Sequence, residues 1–186
     1  MLSYISLFFG WVLVSSLSQA AHFKTLESPF QFQFDDANWE LLPTRSETKS
    51  AAEVDQKMAE ATLVNLQRKQ ADDKYRARFS VVSDSLEKFK DGKTTPLVQY
   101  QKHAVDFLKS QRFQILSTEN IKLGKMQLPA VEVIASQRDF GLKFKQVIFV
   151  KEDRAFLLTL ATRIEKFDST VAEVKSIFDS FDFNKN

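Results

Sequence analysis

The chain has no cysteine. That absence excludes disulfides, thiol nucleophiles, thiolate-bound metals and a lipid-modified cysteine together. Glycine and proline number four each, so sharp loops are few and no glycine-rich phosphate cradle is present. Histidine occurs only as His22 and His103, which leaves little material for a nucleophile activated by an imidazole base. Charge of either sign is missing before Lys24. Over the whole chain 26 Lys and Arg stand against 24 Asp and Glu, a net +2 too balanced to point to nucleic acid.

What is present is aromatic. Eighteen phenylalanines in 186 residues imply a core rich in rings. Residues 1–20 are uncharged and apolar from Ile5 to Val14, and they end in Ser18-Gln19-Ala20, small at the two positions a signal peptidase needs. The expectation is a signal peptide over 1–20, cleaved after Ala20 or Ala21, followed by a linker over 21–27. An uncut segment would act as an anchor, although its apolar run is shorter than the ~20 residues a membrane span requires. The remaining 28–186 suffices for one domain with its own core.

Within that domain Phe30-Gln31-Phe32-Gln33-Phe34 alternates strictly and places three rings on one face of a strand. A turn at Asp35-Asp36-Ala37-Asn38 leads to a short strand from Trp39 that ends at Pro43. Residues 45–59 read as a modest helix or an ordered loop. Ala61–Lys69 and Lys74–Ser83 form a hairpin around Gln70-Ala71-Asp72-Asp73, with a helix through 51–69 as the competing reading. Thr95-Pro96 opens a helix that buries Leu97, Tyr100, Ala104, Phe107 and Leu108 and ends near Ser110. A strand through Phe113–Ser117 follows, and then a three-strand meander over Gln127–Thr162. Its last strand, around Phe156, Leu158 and Leu160, carries so little charge that it should be central and covered on both faces. Thr170 and Glu173 have capping-box spacing for a final helix burying Val171, Val174, Ile177, Phe178 and Phe181.

In this order the chain resembles the PsbP-like superfamily, which includes PsbP, DcrB-type bacterial envelope proteins and a Ran-binding import factor. The residues that carry the resemblance are the Phe30-to-Trp39 opening, Thr95-Pro96-Leu97-Val98-Gln99-Tyr100, Phe113-Gln114-Ile115 and Leu128-Pro129-Ala130-Val131-Glu132. They continue with Phe144-Lys145-Gln146, Ala155-Phe156-Leu157-Leu158-Thr159-Leu160 and Ile177-Phe178-Asp179-Ser180-Phe181. The resemblance implies an α+β domain, a central antiparallel sheet of about six or more strands flanked by helices. It also implies a binding or assembly role without turnover or cofactor, in the periplasm or secreted. Where relatives of the DcrB type carry a lipid on cysteine, this chain has none to modify.

Several residues invite a sharper reading. His22, beside a new N-terminus, has the donor set for Cu(II) or Ni(II), against the plainer reading of a disordered tail. His103 lies on the polar side of its helix, where it reads as a solvated residue. Asp35-Asp36 and Asp72-Asp73 are explained by turn chemistry better than by a cation. Arg68, Lys69, Lys74, Arg76 and Arg78 should cluster along the outer face of the hairpin, as a docking surface for another envelope protein or as a charged edge that discourages strand pairing. The alternative to protein–protein contact is a small-molecule or lipid carrier with a Phe-lined pocket between sheet and helices.

Overall fold

The computed structural model describes residues 20–23, 29–43, 62–71, 75–89 and 94–183. The expected signal segment up to residue 19, residues 45–59, the Asp72-Asp73 turn and Lys74 lie outside them.

Seven antiparallel strands form the main sheet: β3 (Trp39–Leu41), β4 (Thr62–Arg68), β5 (Arg78–Ser85), β6 (Gln114–Leu123), β7 (Leu128–Gln137), β8 (Leu142–Lys151) and β9 (Arg154–Arg163). Their order is β3-β4-β5-β9-β8-β7-β6, so β9 lies at the centre, as its low charge implied. Hairpin turns join β6 through β9, and β5 returns to pair with β9 from Arg78↔Ala161 to Ser85↔Arg154. Residues 62–68 are strand, which settles the hairpin against the helix there.

A second, three-stranded sheet lies on one face of the first. It consists of β1 (Ala20–Phe23), β2 (Phe30–Asp35) and β10 (Asp182–Phe183), in the order β1-β2-β10. The alternation of β2 works as its sequence implies, for Phe30, Phe32 and Phe34 are all buried. Residues 21–23 were expected to be linker and are instead strand. Phe23 stacks on Phe32 at 5.0 Å between ring centroids, so burial of that ring draws its neighbours into pairing with β2.

Two short helices complete this layer, α2 (Phe167–Glu173) and α3 (Lys175–Ser180), which break at Val174. The helical end begins one turn before the expected capping box. Phe167 is buried, and Thr170 lies inside α2, its hydroxyl donating to the Lys166 carbonyl at 2.7 Å. Val174, Ile177 and Phe181 fill the core as their spacing requires.

The other face of the sheet carries α1 (Pro96–Ser110), which packs Tyr100, Ala104 and Leu108 on Val131, Val133, Ala135 and Ile148. Proline stands at its first turn, but the Thr95 side chain makes no capping bond. Phe107 was expected in the buried stripe and is instead exposed. It sits one position from Leu108, about 100° around the helix, and the flat sheet accepts only one of the two. Among the described residues no helix is long and apolar enough to cross a membrane.

Candidate functional site

A cleft of about 610 Å³ lies between α2–α3 and strands β6, β7 and β8. Its floor is apolar, from Ile121 and Leu123 on β6 and Val147 on β8; Val171 and Phe178 line it from the helices. One end closes at the turn after β6, where Gly124 has φ +64° and the Lys125 amide donates to the Phe181 carbonyl at 3.2 Å. A Cβ on Gly124 would stand 2.1 Å from that carbonyl oxygen, so the turn can seat against the helices only with glycine.

Charge enters this cleft through the strands. On β8 one face reads Lys143, Lys145, Val147, Phe149, changing from basic to apolar along its length. Lys145 pairs with Glu132 of β7 at 2.6 Å, both side chains four-fifths or more covered, and its ammonium lies over the Phe178 ring. Burying one of these charges without the other would cost several kcal/mol, which makes the pair a fixed dipole in the cleft wall. Lys122, Lys125, Lys175, Asp168 and Asp179 supply the remaining charges, and Lys175 ion-pairs with Asp179 one turn on. The result is an apolar trough edged by both signs of charge, suited to a ligand with an apolar body and polar ends.

The hairpin cations are dispersed. Arg68 shares the buried face of Val64 and Leu66 and pairs with Glu173 of α2 at 2.8 Å. Lys69 donates through Nζ to the Asp36 carbonyl at 2.5 Å, and Arg76 pairs with Glu40 at 3.3 Å. Arg76 and Arg78 point outward, flanking Ala77, as alternation implied. Tyr75, half-buried beside them, has its phenol pushed up by burial, an effect the Arg78 and Arg163 charges oppose. Arg68 therefore faces away from Arg78, and the four described cations do not form one surface. The reason is register: Gln67, not Arg68, stands opposite Arg78.

The remaining candidates are local. Asp35 accepts from the Ala37 amide at 3.0 Å and from the Asn38 side chain at 2.7 Å, which is turn chemistry. His22 is exposed on β1 and meets the Gln33 amide at 3.1 Å, within a strand and not a tail. His103 is exposed on α1 and lies 5.3 Å from the Phe89 ring. Among the described residues no three His, Cys, Asp or Glu side chains group as metal ligands.

Sequence reasoning did not locate the cleft, although it had the means. Lys143 and Lys145 share a strand face with Val147 and Phe149, and charge on an otherwise buried face marks the place where a covering layer stops.

No family model matches the sequence, and no curated protein is similar to it at significance. Solved structures are similar to it in fold. CyanoP, the cyanobacterial PsbP of Synechocystis sp. PCC 6803, superposes with a TM-score of 0.59 at 9% identity, over 95% of this chain and 99% of its own. PA94 of Pseudomonas aeruginosa, a protein of unknown function, gives 0.51 at 15% identity, over 90% and 99%. LpqN of Mycobacterium tuberculosis, involved in cell envelope biogenesis, gives 0.49 at 12% identity, over 90% and 92%. The chain has the PsbP-like α+β fold.

Proposed function

We propose that this is an exported accessory protein of the cell envelope that acts by binding, without turnover, and that it receives a segment of a partner protein in the cleft between α2–α3 and β6–β8. The observation that carries the reading is the cleft itself, an apolar floor of strand residues open to solvent and rimmed by Lys122, Lys125 and Lys175 on one hand and Asp168 and Asp179 on the other. A closed, dry pocket would suit a lipid. An open trough with both signs of charge suits a peptide segment, whose backbone and side chains need polar partners along their length. Export rests on the uncharged apolar start and its small-residue end. The PsbP-like fold adds an analogy only, since folds of one kind host many functions.

The test is a photo-crosslinker at Ala172, on the cleft wall, and another at Arg78, on the outer hairpin face, with the partner peptide mapped by mass spectrometry. A single partner cross-linked from position 172, and lost about tenfold when Val171→Trp fills the trough, supports the cleft. Cross-links from position 78 alone, abolished by Arg76→Glu with Arg78→Glu, would move the docking surface to the hairpin.

A second reading has one observation in its favour. The cleft volume falls in the range of small-molecule sites, so a carrier for an amphiphile fits it. The ring-lined form of that idea has less support, because Phe178 is the one phenylalanine among the residues that line the cleft, while nine others are buried in the core. Native mass spectrometry of the purified chain separates the two: a co-purifying small molecule displaced by Val171→Trp supports the carrier.

A further inference from the structure

One end of the main sheet gathers exposed apolar side chains and bases. The end of α1 is tied there, since the Gln137 amide at the end of β7 donates to the Gln111 carbonyl at 2.8 Å. The tip between β7 and β8 is a single 3-10 turn, Arg138–Phe140, closed by Gly141 with φ +62°. Arg163, at the end of β9, donates to the Phe140 carbonyl at 2.9 Å, and the Ile164 amide donates to the Gly141 carbonyl at 3.0 Å. Three segments distant in sequence, 107–114, 137–143 and 163–166, thus meet at one end of the molecule.

At that end Phe140 is 65% exposed, Phe107 53% and Ile164 40%. Each is a separate projection, one on a tight turn, one on a helix and one after a strand, with polar residues between. Around them stand Lys109, Arg112, Arg138, Lys143, Arg163 and Lys166, against two acids, Asp139 and Glu165. These six bases and two acids sum to +4 in a chain of net +2, so the rest of the protein sums to −2. Three of these groups are committed in part: Lys143 lies over the Phe167 ring, and Arg163 reaches Glu165 at 3.9 Å.

We propose that this end docks the folded domain on an anionic phospholipid surface. Isolated apolar projections between long basic side chains match that surface, because rings and aliphatic tips enter between head groups while the bases pair with phosphates. A protein partner would instead call for a contiguous apolar centre with a polar rim. The contact is separate from the cleft and does not depend on what the cleft binds.

The experiment is co-sedimentation of the full chain with vesicles of roughly one part phosphatidylglycerol to two of phosphatidylcholine, and with phosphatidylcholine alone. Because the apolar residues 5–14 can partition by themselves, the readout is the ratio of anionic to neutral binding. The expected ratio is about ten or more, falling towards one at high salt. Arg138→Glu with Lys166→Glu should lower the ratio about tenfold, and Phe140→Ser should weaken anionic binding about fivefold. Lys109→Glu with Arg112→Glu, on a different segment, should repeat the first result and guards against a folding defect in the pair. A ratio near one for the unaltered chain overturns the proposal, as does a high ratio that all three variants leave unchanged. A photo-crosslinker at position 140 that ends on a protein and not on lipid overturns it in favour of a protein interface.

Discussion

The two faces of the main sheet are covered in different ways. Between one face and its cover of a small sheet and two short helices lie nine buried phenylalanines, contributed by both layers, and Trp39. The other face bears Val131, Val133, Ala135 and Ile148 beneath the single helix α1, with Tyr100 as the one buried aromatic of that cluster. Sheet packed on sheet leaves a gap of about 10 Å that needs large flat side chains to fill it. A helix lying along a sheet comes closest where the residues beneath it are small, and Ala104 over Val133 and Ala135 meets that condition. The difference also concerns chain distance. Phe23, Phe30 and Phe32 come from the start of the domain and Phe181 and Phe183 from its end, so the ring face joins the two ends of the chain, while the helix face joins near neighbours.

That contrast predicts unequal damage. Phe181 is fully buried, stacks on Phe30 at 5.1 Å and meets Phe149 edge to face at 5.4 Å, linking the two sheets. Phe181→Ala should therefore destabilise the domain by about 4 kcal/mol, the upper part of the range for a large-to-small change, because a layer held at both ends cannot collapse into the gap. Urea unfolding followed by far-ultraviolet circular dichroism measures it. A loss under about 1.5 kcal/mol would mean that the small sheet relaxes freely and is not fixed by its rings.

On the opposite face Leu108→Ala should cost less, about 2.5 kcal/mol. Leu108 is buried against aliphatic residues of the sheet, and α1 can shift towards the space it leaves. The comparison is sharpened by the slope of the urea transition. Leu108→Ala should leave it unchanged, whereas Phe181→Ala should lower it if the small sheet detaches before the rest.

The same contrast explains what could be read from the residues alone. The helix face depends on local periodicity, and α1, the meander and the hairpin all follow from spacing of two or of three and four. The three rings of β2 also declared themselves by alternation. The second sheet did not, because β1 has four residues, β10 has two, and both acquire strand geometry only from a distant partner. Residues 21–23 and 182–183 have no periodicity to read; their structure is imposed by where Phe23 and Phe183 are buried. The cleft was hidden for a related reason. Its floor is formed by residues of β6 and β8 whose neighbours are decided by how far α2 and α3 extend, and the break at Val174 that fixes this has no proline or glycine to mark it. The basic hairpin was read from spacing correctly for Arg76 and Arg78, while the face of Arg68 depended on a cross-strand register that sequence does not carry.

The smallest effect belongs to a part-buried polar contact of the helix face. Tyr100 donates its hydroxyl to Asp84 at 2.5 Å across the edge of α1. Burial raises the phenol well above its ordinary value of 10, and the hydrogen bond to Asp84 and the charge of that carboxylate raise it further. Tyr100→Phe should cost about 1 kcal/mol at neutral pH, since Asp84 is exposed and regains water when the bond is lost. The sign then changes with pH. In the unfolded chain the phenol ionises near pH 10, whereas in the folded chain it keeps its proton; the stabilisation is therefore complete below about 10 and declines as pH rises beyond it. The unaltered protein should lose about 1.4 kcal/mol more per pH unit than the variant in that range, so the two stability curves converge roughly one unit above 10. Tyr75, raised more weakly, leaves a residual slope in the variant. Urea midpoints at pH 8, about 10 and about 11 give the comparison. Parallel curves for the two proteins would show that Tyr100 ionises as readily folded as unfolded, and that the helix face holds its hydroxyl no more firmly than water does.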